Sequence, residues 1–409
     1  MTHTPLEDQV HDALHRRVDP IHHSPLTVTD VRQRARRIQR HRALTAGAAV
    51  ATALAIAVPV GLTMNGRAPR SDVPPATQTP PPAITGPVLI DPRSADVGEA
   101  PGVPLIVSGE HSRVLLDGEE YAIGTAGWDQ ITPYGDGWLA TRPSDDQGGR
   151  VMEIVTDAFG VEDGPVDSSW FTVSADGTRV AWSEHDGAGD WRIVNSDIDR
   201  KDEPASSALP GTRAETVRIV GFLSSDEVVL AQTDPGDGSE TTYVATGPFN
   251  AELPGLTHAV SASPVTGMVA GMTHADGAES CSAAVDGRAR TAPVWTTCEH
   301  LLGAFSPDGG RLIGFANIPD GPSPSLSILD ATTGDPVLDF EVTGARDRVV
   351  GIVEAVWEDD ETLLATYIDG NQQYVVRLGL DGTVERVAGP VTTDDVYMMS
   401  LHLTPGRID

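Results

Sequence analysis

An uncharged apolar stretch at residues 43–64 constrains this chain more than any other feature of its sequence. The stretch lies between Arg42 and Arg67 and contains no charged side chain. At about 1.5 Å per residue, a helix of this length crosses the roughly 30 Å hydrocarbon core of a bilayer and satisfies its own backbone hydrogen bonds there. The sequence therefore predicts a single transmembrane helix at residues 43–64, with the lipid bilayer as its partner.

Basic residues on one side of this stretch predict its orientation. Six arginines fall within residues 32–42, whereas only Arg67 and Arg70 follow closely on the other side. Because Lys and Arg near a span are retained in the cytoplasm, we expect a cytoplasmic N-terminus and a C-terminal domain outside a single-pass cell membrane protein. A cleaved signal peptide is the alternative, with Ala55-Ile56-Ala57 as the cleavage site, but ordinary signal peptides total about 15 to 30 residues.

Residues 1–42 form a basic tail that is too short to build a core. Helical spacing of apolar residues at 6–18 and again after Thr29 predicts two short helices. The tail resembles those of actinobacterial single-pass proteins associated with extracytoplasmic-function sigma factors, which implies a cytoplasmic regulator as partner. It lacks the His-x-x-x-Cys-x-x-Cys element of zinc-binding anti-sigma factors, so its histidines are interpreted as solvated.

A Pro-rich spacer at residues 65–90 separates the span from a large acidic domain at residues 91–409. Consecutive prolines predict an extended, semi-rigid segment. The whole chain has a net charge of −31, and residues 1–42 contain more arginines than acids, so the negative charge is concentrated beyond the span. This charge argues against nucleic acid as a partner.

Beyond residue 91, short β-branched and apolar runs are separated by Asp-Gly and Pro-Asp turns, which predicts an all-β domain. Turns recur at positions 136, 176, 226, 265, 308 and 359. A further strand is predicted in each repeat, at residues 151–155, 191–194, 242–246, 280–285, 325–329 and 374–378. Four strands in each repeat of about 40 to 50 residues is the content of one propeller blade.

The clearest units are Ser-Ala-Asp-Gly-Thr-Arg-Val at 174–180 and Ser-Pro-Asp-Gly-Gly-Arg-Leu at 306–312. They resemble the WD-repeat-like blades of the TolB family, and weaker copies extend the resemblance over residues 100–405. The resemblance implies a β-propeller in which each turn Asp hydrogen-bonds its own turn and the following Gly takes a positive φ. These residues are then structural rather than catalytic.

Strands left over at both ends of the repeats predict how the ring closes. Six repeats account for residues 128–395, and residues 103–107, 114–116 and 121–124 supply three more strands. A last strand at 396–403 completes a seventh blade with them, because unpaired strand edges are otherwise exposed. The predicted fold is a seven-bladed β-propeller, with six blades as the alternative.

Cys281 and Cys298 are the two cysteines of the chain, and both fall in the predicted outer domain. A hairpin around residues 286–292 joins their strands. Antiparallel pairing of Val285 with Val294 places the cysteines opposite each other, at a separation that a disulfide tolerates. The sequence therefore predicts a structural disulfide.

No sequence motif identifies an enzyme, a cofactor or a metal site. Gly177 directly follows Asp176, so the sialidase Asp-box spacing fails, and no Gly-x-Ser-x-Gly elbow is present. Trp182, Trp191 and Trp295 are interpreted as blade packing rather than a carbohydrate platform. The outer histidines are interpreted as exposed or hydrogen-bonded: His111, His185, His258, His274, His300 and His402. No catalytic, cofactor-binding or metal-binding residue is assigned.

The function expected from these features is non-enzymatic binding or sensing of an envelope protein through the propeller loops, with relay to a cytoplasmic regulator such as a sigma factor. A propeller enzyme with a metal or carboxylate site in the central channel is one alternative. A structural envelope component is another. Acids or histidines that converge at a channel mouth favour the enzyme, whereas an apolar channel favours binding.

Overall fold

The computed structural model describes residues 84–109, 111–124, 127–144, 150–168, 170–185, 190–199, 204–209, 214–247, 249–276, 279–290, 292–318, 321–343, 348–393 and 399–404. The predicted tail, the predicted span and most of the spacer lie outside these residues. No helix in the described ranges has the length and apolar character needed to cross a bilayer.

The described residues form β-strands throughout, as the repeated turns predict. The first half of the chain contains β1 (Val88–Ile90), β2 (Asp96–Val97), β3 (Leu105–Val107), β4 (Ser112–Leu116), β5 (Glu119–Gly124), β6 (Gln130–Tyr134), β7 (Gly137–Pro143), β8 (Arg150–Val155), β9 (Val161–Ser168), β10 (Thr172–Val173), β11 (Arg179–His185), β12 (Trp191–Asp197), β13 (Ala205–Leu209), β14 (Thr216–Phe222) and β15 (Glu227–Thr233). The second half contains β16 (Glu240–Thr246), β17 (Phe249–Glu252), β18 (His258–Ala262), β19 (Met268–Asp276), β20 (Glu279–Asp286), β21 (Trp295–Thr297), β22 (His300–Phe305), β23 (Arg311–Ala316), β24 (Ser325–Asp330), β25 (Pro336–Val342), β26 (Val350–Trp357), β27 (Thr362–Asp369), β28 (Gln372–Gly379), β29 (Val384–Thr392) and β30 (Leu401–Leu403).

All six predicted turn positions lie between the first and second strands of a four-strand antiparallel unit, and the six further predicted strands are the third strands. The described strands make six hydrogen-bonded sheets. One sheet has eight strands because β9 and β11 pair between Ser168 and Glu184, which joins the units β6–β9 and β10–β13. Because one of the six sheets contains two four-strand units, the sheets do not correspond to the seven separate blades, or six, expected from the sequence.

The units follow one another around a ring, which makes the domain an all-β propeller. The first strand of each unit contacts the first strand of the next, from β10 through β14, β18, β22 and β26 to β30. We call the end of the ring that carries the turns between first and second strands the turn end. The opposite end, where the first strands begin, is the loop end.

The ring closes by pairing the C-terminal strand with the N-terminal ones, as predicted. β30 pairs with β3 in antiparallel register, and β4 and β5 complete this sheet. Beyond β30, the Thr404 hydroxyl donates to the Ile131 carbonyl of β6 at 2.7 Å. We call β30 the closing strand.

Residues 88–102, which we call the strap, add a feature that the sequence did not predict. β1 pairs in parallel with the outer edge of β25, and β2 pairs in parallel with β29. Two further contacts hold the strap to the unit β26–β29: Arg93 pairs with the buried Asp369, and the Glu358 carboxylate accepts from Gly102 N at 2.6 Å. β1 lies in the last three residues of the predicted spacer, so the ordered strands begin before residue 91.

Hydrophobic residues fill the spaces between neighbouring units. Ile313 and Ile328 of one unit share a core with Trp357, Leu363 and Tyr367 of the next. Each fully buried side chain of this kind contributes about 1.5–3 kcal/mol. Packing between units thus holds the inner strands around a central channel.

Candidate binding site

The central channel contains a cavity of about 380 Å³, walled by the first strands of consecutive units. Such a volume is within the range of small-molecule sites, about 300–1,000 Å³. Register shifts in four of these strands, β14, β18, β22 and β26, mark bulges. Bulges bend a strand and redirect its side chains, so the wall is built from irregular rather than ideal strands.

The described wall of this cavity is mainly apolar and carries one charged side chain, Arg218. Its aromatic and aliphatic members come from five first strands and the residues beside them: Trp170, Phe171, Val173, Ile219, Val220, Phe222, Val260, Phe305, Val356 and Trp357. Acids and histidines do not converge on this wall within the described residues.

Arg218 lies near the start of β14, at the loop end, beside an acid and a histidine from neighbouring strands. Its Nη2 donates to Glu240 Oε1 at 3.1 Å and to the Ala259 carbonyl at 2.9 Å. His258 Nδ1 lies 3.2 Å from the same Glu240 oxygen. Burial alone would raise the pKa of Glu240, but the hydrogen bond from His258 and the charge of Arg218 outweigh it and lower the pKa. The sequence did not place these three residues together.

Trp170 stands apart from the other tryptophans because it is 45% exposed and lines the cavity near the loop end. The Arg150 guanidinium lies 4.2 Å from its ring centroid, in a cation–π contact. Arg150 also pairs with Asp129, next to the first strand β6. An aromatic side chain held in this way presents an exposed face at the mouth of the channel.

The remaining tryptophans pack within or between blades. Trp182 and Trp191 are buried, which agrees with their interpretation as packing residues. Trp295 is half-buried, and its indole N–H donates to the Ala331 carbonyl of the next unit at 2.9 Å. The Trp357 indole likewise donates to the Ala304 carbonyl at 3.0 Å.

Glu354 and Gln373 hold the closing strand from the side opposite β3. Gln373 Oε1 accepts from Ser400 N at 2.8 Å, and Glu354 Oε1 accepts from Leu403 N at 2.6 Å. Although Glu354 is partly accessible to solvent, surrounding protein atoms desolvate its carboxyl group and raise its pKa to about 7. The bonds from Leu403 N and the Thr366 hydroxyl oppose this shift without cancelling it.

The other histidines considered in the sequence are dispersed. His185 packs against Trp191 with tilted rings whose centroids are 5.0 Å apart, and His111 is exposed. His274 lies within β19, and His300 is the first residue of β22. His402 lies in the closing strand, where burial lowers its pKa. Among the described residues, no three His, Cys, Asp or Glu side chains are grouped as a metal site.

The turn residues at 176 and 308 have the structural role that was expected of them. Asp176 Oδ1 accepts from the Ser174 hydroxyl at 2.6 Å and from Thr178 N at 3.1 Å. Gly177 and Gly309 have φ values of 64° and 70°. Each Asp thus closes its own turn, and each Gly supplies a conformation that other residues adopt at a cost.

Cys281 and Cys298 form a disulfide with Cα atoms 4.1 Å apart. Ala284 pairs with Trp295 and Ser282 with Thr297, which is the register expected from the hairpin. The disulfide joins the third strand of its unit to the short outer strand β21. It lies outside the described wall of the channel.

Comparisons with known proteins do not identify a relative of this chain. No protein family model matches the chain, and no curated protein matches it. Similar solved structures include the β-propeller domain of the Trilobed protease from Pyrococcus furiosus, with 13% identity, a TM-score of 0.42, and coverage of 64% of this chain and 84% of that one.

Two further similar structures have comparable scores. A putative TolB from Agrobacterium tumefaciens has 12% identity and a TM-score of 0.40, with coverage of 58% of this chain and 84% of that one. A prolyl endopeptidase structure has 13% identity and a TM-score of 0.45. The match covers 65% of this chain but only 43% of the endopeptidase. These values are too low to carry a function to this chain.

Proposed function

We propose that this protein is a non-enzymatic, membrane-anchored propeller that binds a protein partner at the loop end of its ring. The observation that carries the proposal is the channel wall, which is apolar apart from Arg218 and has an exposed Trp170 at its loop-end mouth. Exposed aromatic side chains beside a concave apolar surface are typical of binding sites.

The position of the strap favours the loop end over the turn end. Ile84, the first described residue, precedes the strap. It lies beside Gly382 in the turn between β28 and β29, which is at the turn end. The described part of the chain therefore begins at the turn end of the ring. The strap also occupies the outer edges of β25 and β29, so those edges are not open to a partner strand.

We also propose that each four-strand unit is one blade, which gives seven blades. Two features support this number. Among the described residues, one pair, Ser168 and Glu184, joins the two halves of the eight-stranded sheet, and the closing strand forms a four-stranded sheet with β3–β5. An experimental density map that shows a different number of radial sheets would overturn it.

Affinity capture with the full-length protein tests the partner site. The variant Trp170→Ala removes the exposed aromatic side chain at the loop end. Phe249→Ala is the matched control, because Phe249 is 77% exposed and starts β17 at the turn end. We expect Trp170→Ala to weaken capture of an envelope protein at least tenfold and Phe249→Ala to leave it unchanged. Equal losses in both variants would contradict a loop-end site.

The membrane anchor is tested by topology. A reporter fused after Gly66 is expected to be active only outside the cytoplasm, and the native protein is expected to stay with the membrane fraction. Recovery of a soluble protein that begins near Val58 would show signal cleavage instead. Relay to a cytoplasmic regulator is tested by capture with residues 1–42 alone.

A further inference from the structure

The polar groups of the channel wall are largely committed to partners inside the protein. Gln130 Nε2 donates to the Phe171 carbonyl at 2.9 Å, and the Ser261 hydroxyl donates to the Gly303 carbonyl at 2.7 Å. The Ser174 hydroxyl bonds to the turn Asp176. A ligand in the cavity would therefore meet a wall that offers it mainly apolar contact.

Arg218 differs from these side chains because its hydrogen-bonding capacity is only partly used. Its hydrogen bonds to the described residues all leave from Nη2. A guanidinium has five N–H donors, so one N–H on Nε and two on Nη1 remain for a carboxylate, which accepts charge-assisted bonds from them. Arg218 thus combines an internal anchor at Nη2 with donors that a ligand can use.

The combination of one arginine and an apolar wall specifies the class of ligand. A neutral apolar molecule leaves the Nε and Nη1 donors of Arg218 without an acceptor in the channel. A strongly hydrated dianion loses its water to a wall that cannot replace it. A molecule with an apolar body and a single carboxylate satisfies both requirements. The acidic surface of the protein does not prevent this, since repulsion beyond about 8 Å is screened at physiological salt.

We propose that the central channel binds a small amphipathic carboxylate, whose apolar body contacts the channel wall and whose carboxylate is held by Arg218. Glu240 shares the guanidinium with the ligand and so moderates the affinity. Trp170, at the same end of the cavity, is placed to cover the bound molecule. This ligand site lies in the same channel as the partner site proposed above, but it does not depend on that partner, because it is tested with small molecules alone.

Calorimetric titration of the full-length protein in a non-ionic detergent, with the detergent solution alone as the blank, tests the site. The probes are 5-phenylpentanoate, its matched alcohol 5-phenylpentanol, and the shorter 3-phenylpropanoate. We expect the longer acid to bind at least about tenfold more tightly than the alcohol, because charge-assisted bonds to Arg218 are lost in the alcohol. The shorter acid is expected to bind about tenfold more weakly than the longer one, since it buries two fewer methylenes.

Three variants assign the preference to Arg218. Arg218→Met is expected to lower the affinity for the acid to that for the alcohol. Glu240→Gln removes the competing carboxylate and is expected to raise the affinity for the acid several-fold, which provides an independent readout if Arg218→Met does not fold. Arg192→Met is the matched control, since Arg192 pairs with Glu184 in the second and third strands of its unit, away from the channel wall.

Equal binding of the acid and the alcohol would overturn the proposal. So would a preference for the acid that survives in Arg218→Met, or the absence of saturable binding by all three probes, which would indicate a channel that holds water only.

Discussion

Glu354 Oε1 lies 2.6 Å from the backbone nitrogen of Leu403 and thereby joins β26, the first strand of the last complete unit, to the closing strand. The closing strand has only three residues, so few backbone bonds to β3 hold it. Side-chain acceptors from the neighbouring unit, Glu354 and Gln373, supply bonds that a longer strand would obtain from backbone. Closure of the ring consequently depends on a small number of identifiable groups.

The protonation of Glu354 is expected to make stability depend on pH. Its pKa is about 7 in the folded protein, above the value near 4.3 of an unfolded chain. The folded state therefore binds more protons between these values, and the free energy of unfolding falls as pH rises from about 4.5 to 7. Glu354→Gln keeps an acceptor for Leu403 N but does not ionise. We expect its unfolding free energy to match the wild type near pH 4 and to exceed it by up to about 3 kcal/mol at pH 8.

His402 also makes stability depend on pH, but with the opposite sign to Glu354. Burial lowers its pKa, so its contribution to stability grows as pH rises toward about 6.5, the value of the unfolded side chain, and is complete above it. The difference between Glu354→Gln and wild type removes this term. Denaturant unfolding at several pH values gives both curves, and parallel curves would show that Glu354 does not titrate in this range.

Removal of the closing strand is expected to open the ring. Deletion of residues 396–409 takes away β30 together with Thr404, which bonds to Ile131 of the next unit. The outer domain should then lose cooperative thermal unfolding or aggregate, because β3 is left with an unpaired edge and β26 loses its contact with β30. Deletion of residues 405–409 alone keeps the closing strand and should melt like the intact protein. If the longer truncation also melts normally, the strap and not the closing strand fastens the ring.

The sequence predicted the local features of this fold because they are encoded over short distances. The turn at Asp308 and the Cys281–Cys298 hairpin each depend on fewer than twenty neighbouring residues. The closing strand was predicted despite its distance along the chain, since the repeats left strands over at both ends. The strap was missed because Val88–Ile90 is short, follows a Pro-rich run, and pairs with residues 340–342 far away in sequence.

The candidate site was harder to predict than the fold. Arg218, Glu240 and His258 lie on three different strands and meet only after two units have packed side by side. Neither their spacing nor their residue types differ from those of ordinary strand residues. Trp170 lies just before the first strand β10, which is the one feature of the sequence that could have placed it at the channel. That position indicates the channel only when the other first strands are known to wall it.

Loss of the disulfide is expected to destabilise the outer domain. Cys281 and Cys298 are separated by 17 residues, and a loop of this size contributes about 3 kcal/mol in the chain-entropy model. The double variant Cys281→Ser, Cys298→Ser should therefore unfold at lower denaturant concentration, and reduction of the wild type should reproduce the shift. Detection of free thiols in protein isolated without reductant would contradict the bridge.

Gly309 and Gly310 offer a matched test of how adjacent turns pack. Gly309 has a φ of 70°, and a Cβ atom there would lie 2.6 Å from Ser263 Oγ in the turn of the preceding unit. Gly310 does not have a positive φ, and a Cβ atom there would meet its nearest atom, Asp308 Oδ1, at 3.4 Å.

Gly309→Ala is consequently expected to lower the free energy of unfolding by about 1–3 kcal/mol, since it combines backbone strain with a clash between units. Gly310→Ala should change it by less than about 1 kcal/mol, because the alanine restricts the unfolded chain without straining the folded one. Denaturant midpoints of the two variants, measured at one pH against wild type, decide the matter. If both alanine variants lower the free energy of unfolding by the same amount, the turn at 306–312 tolerates a side chain at either glycine. Contact with Ser263 then does not constrain the register between units.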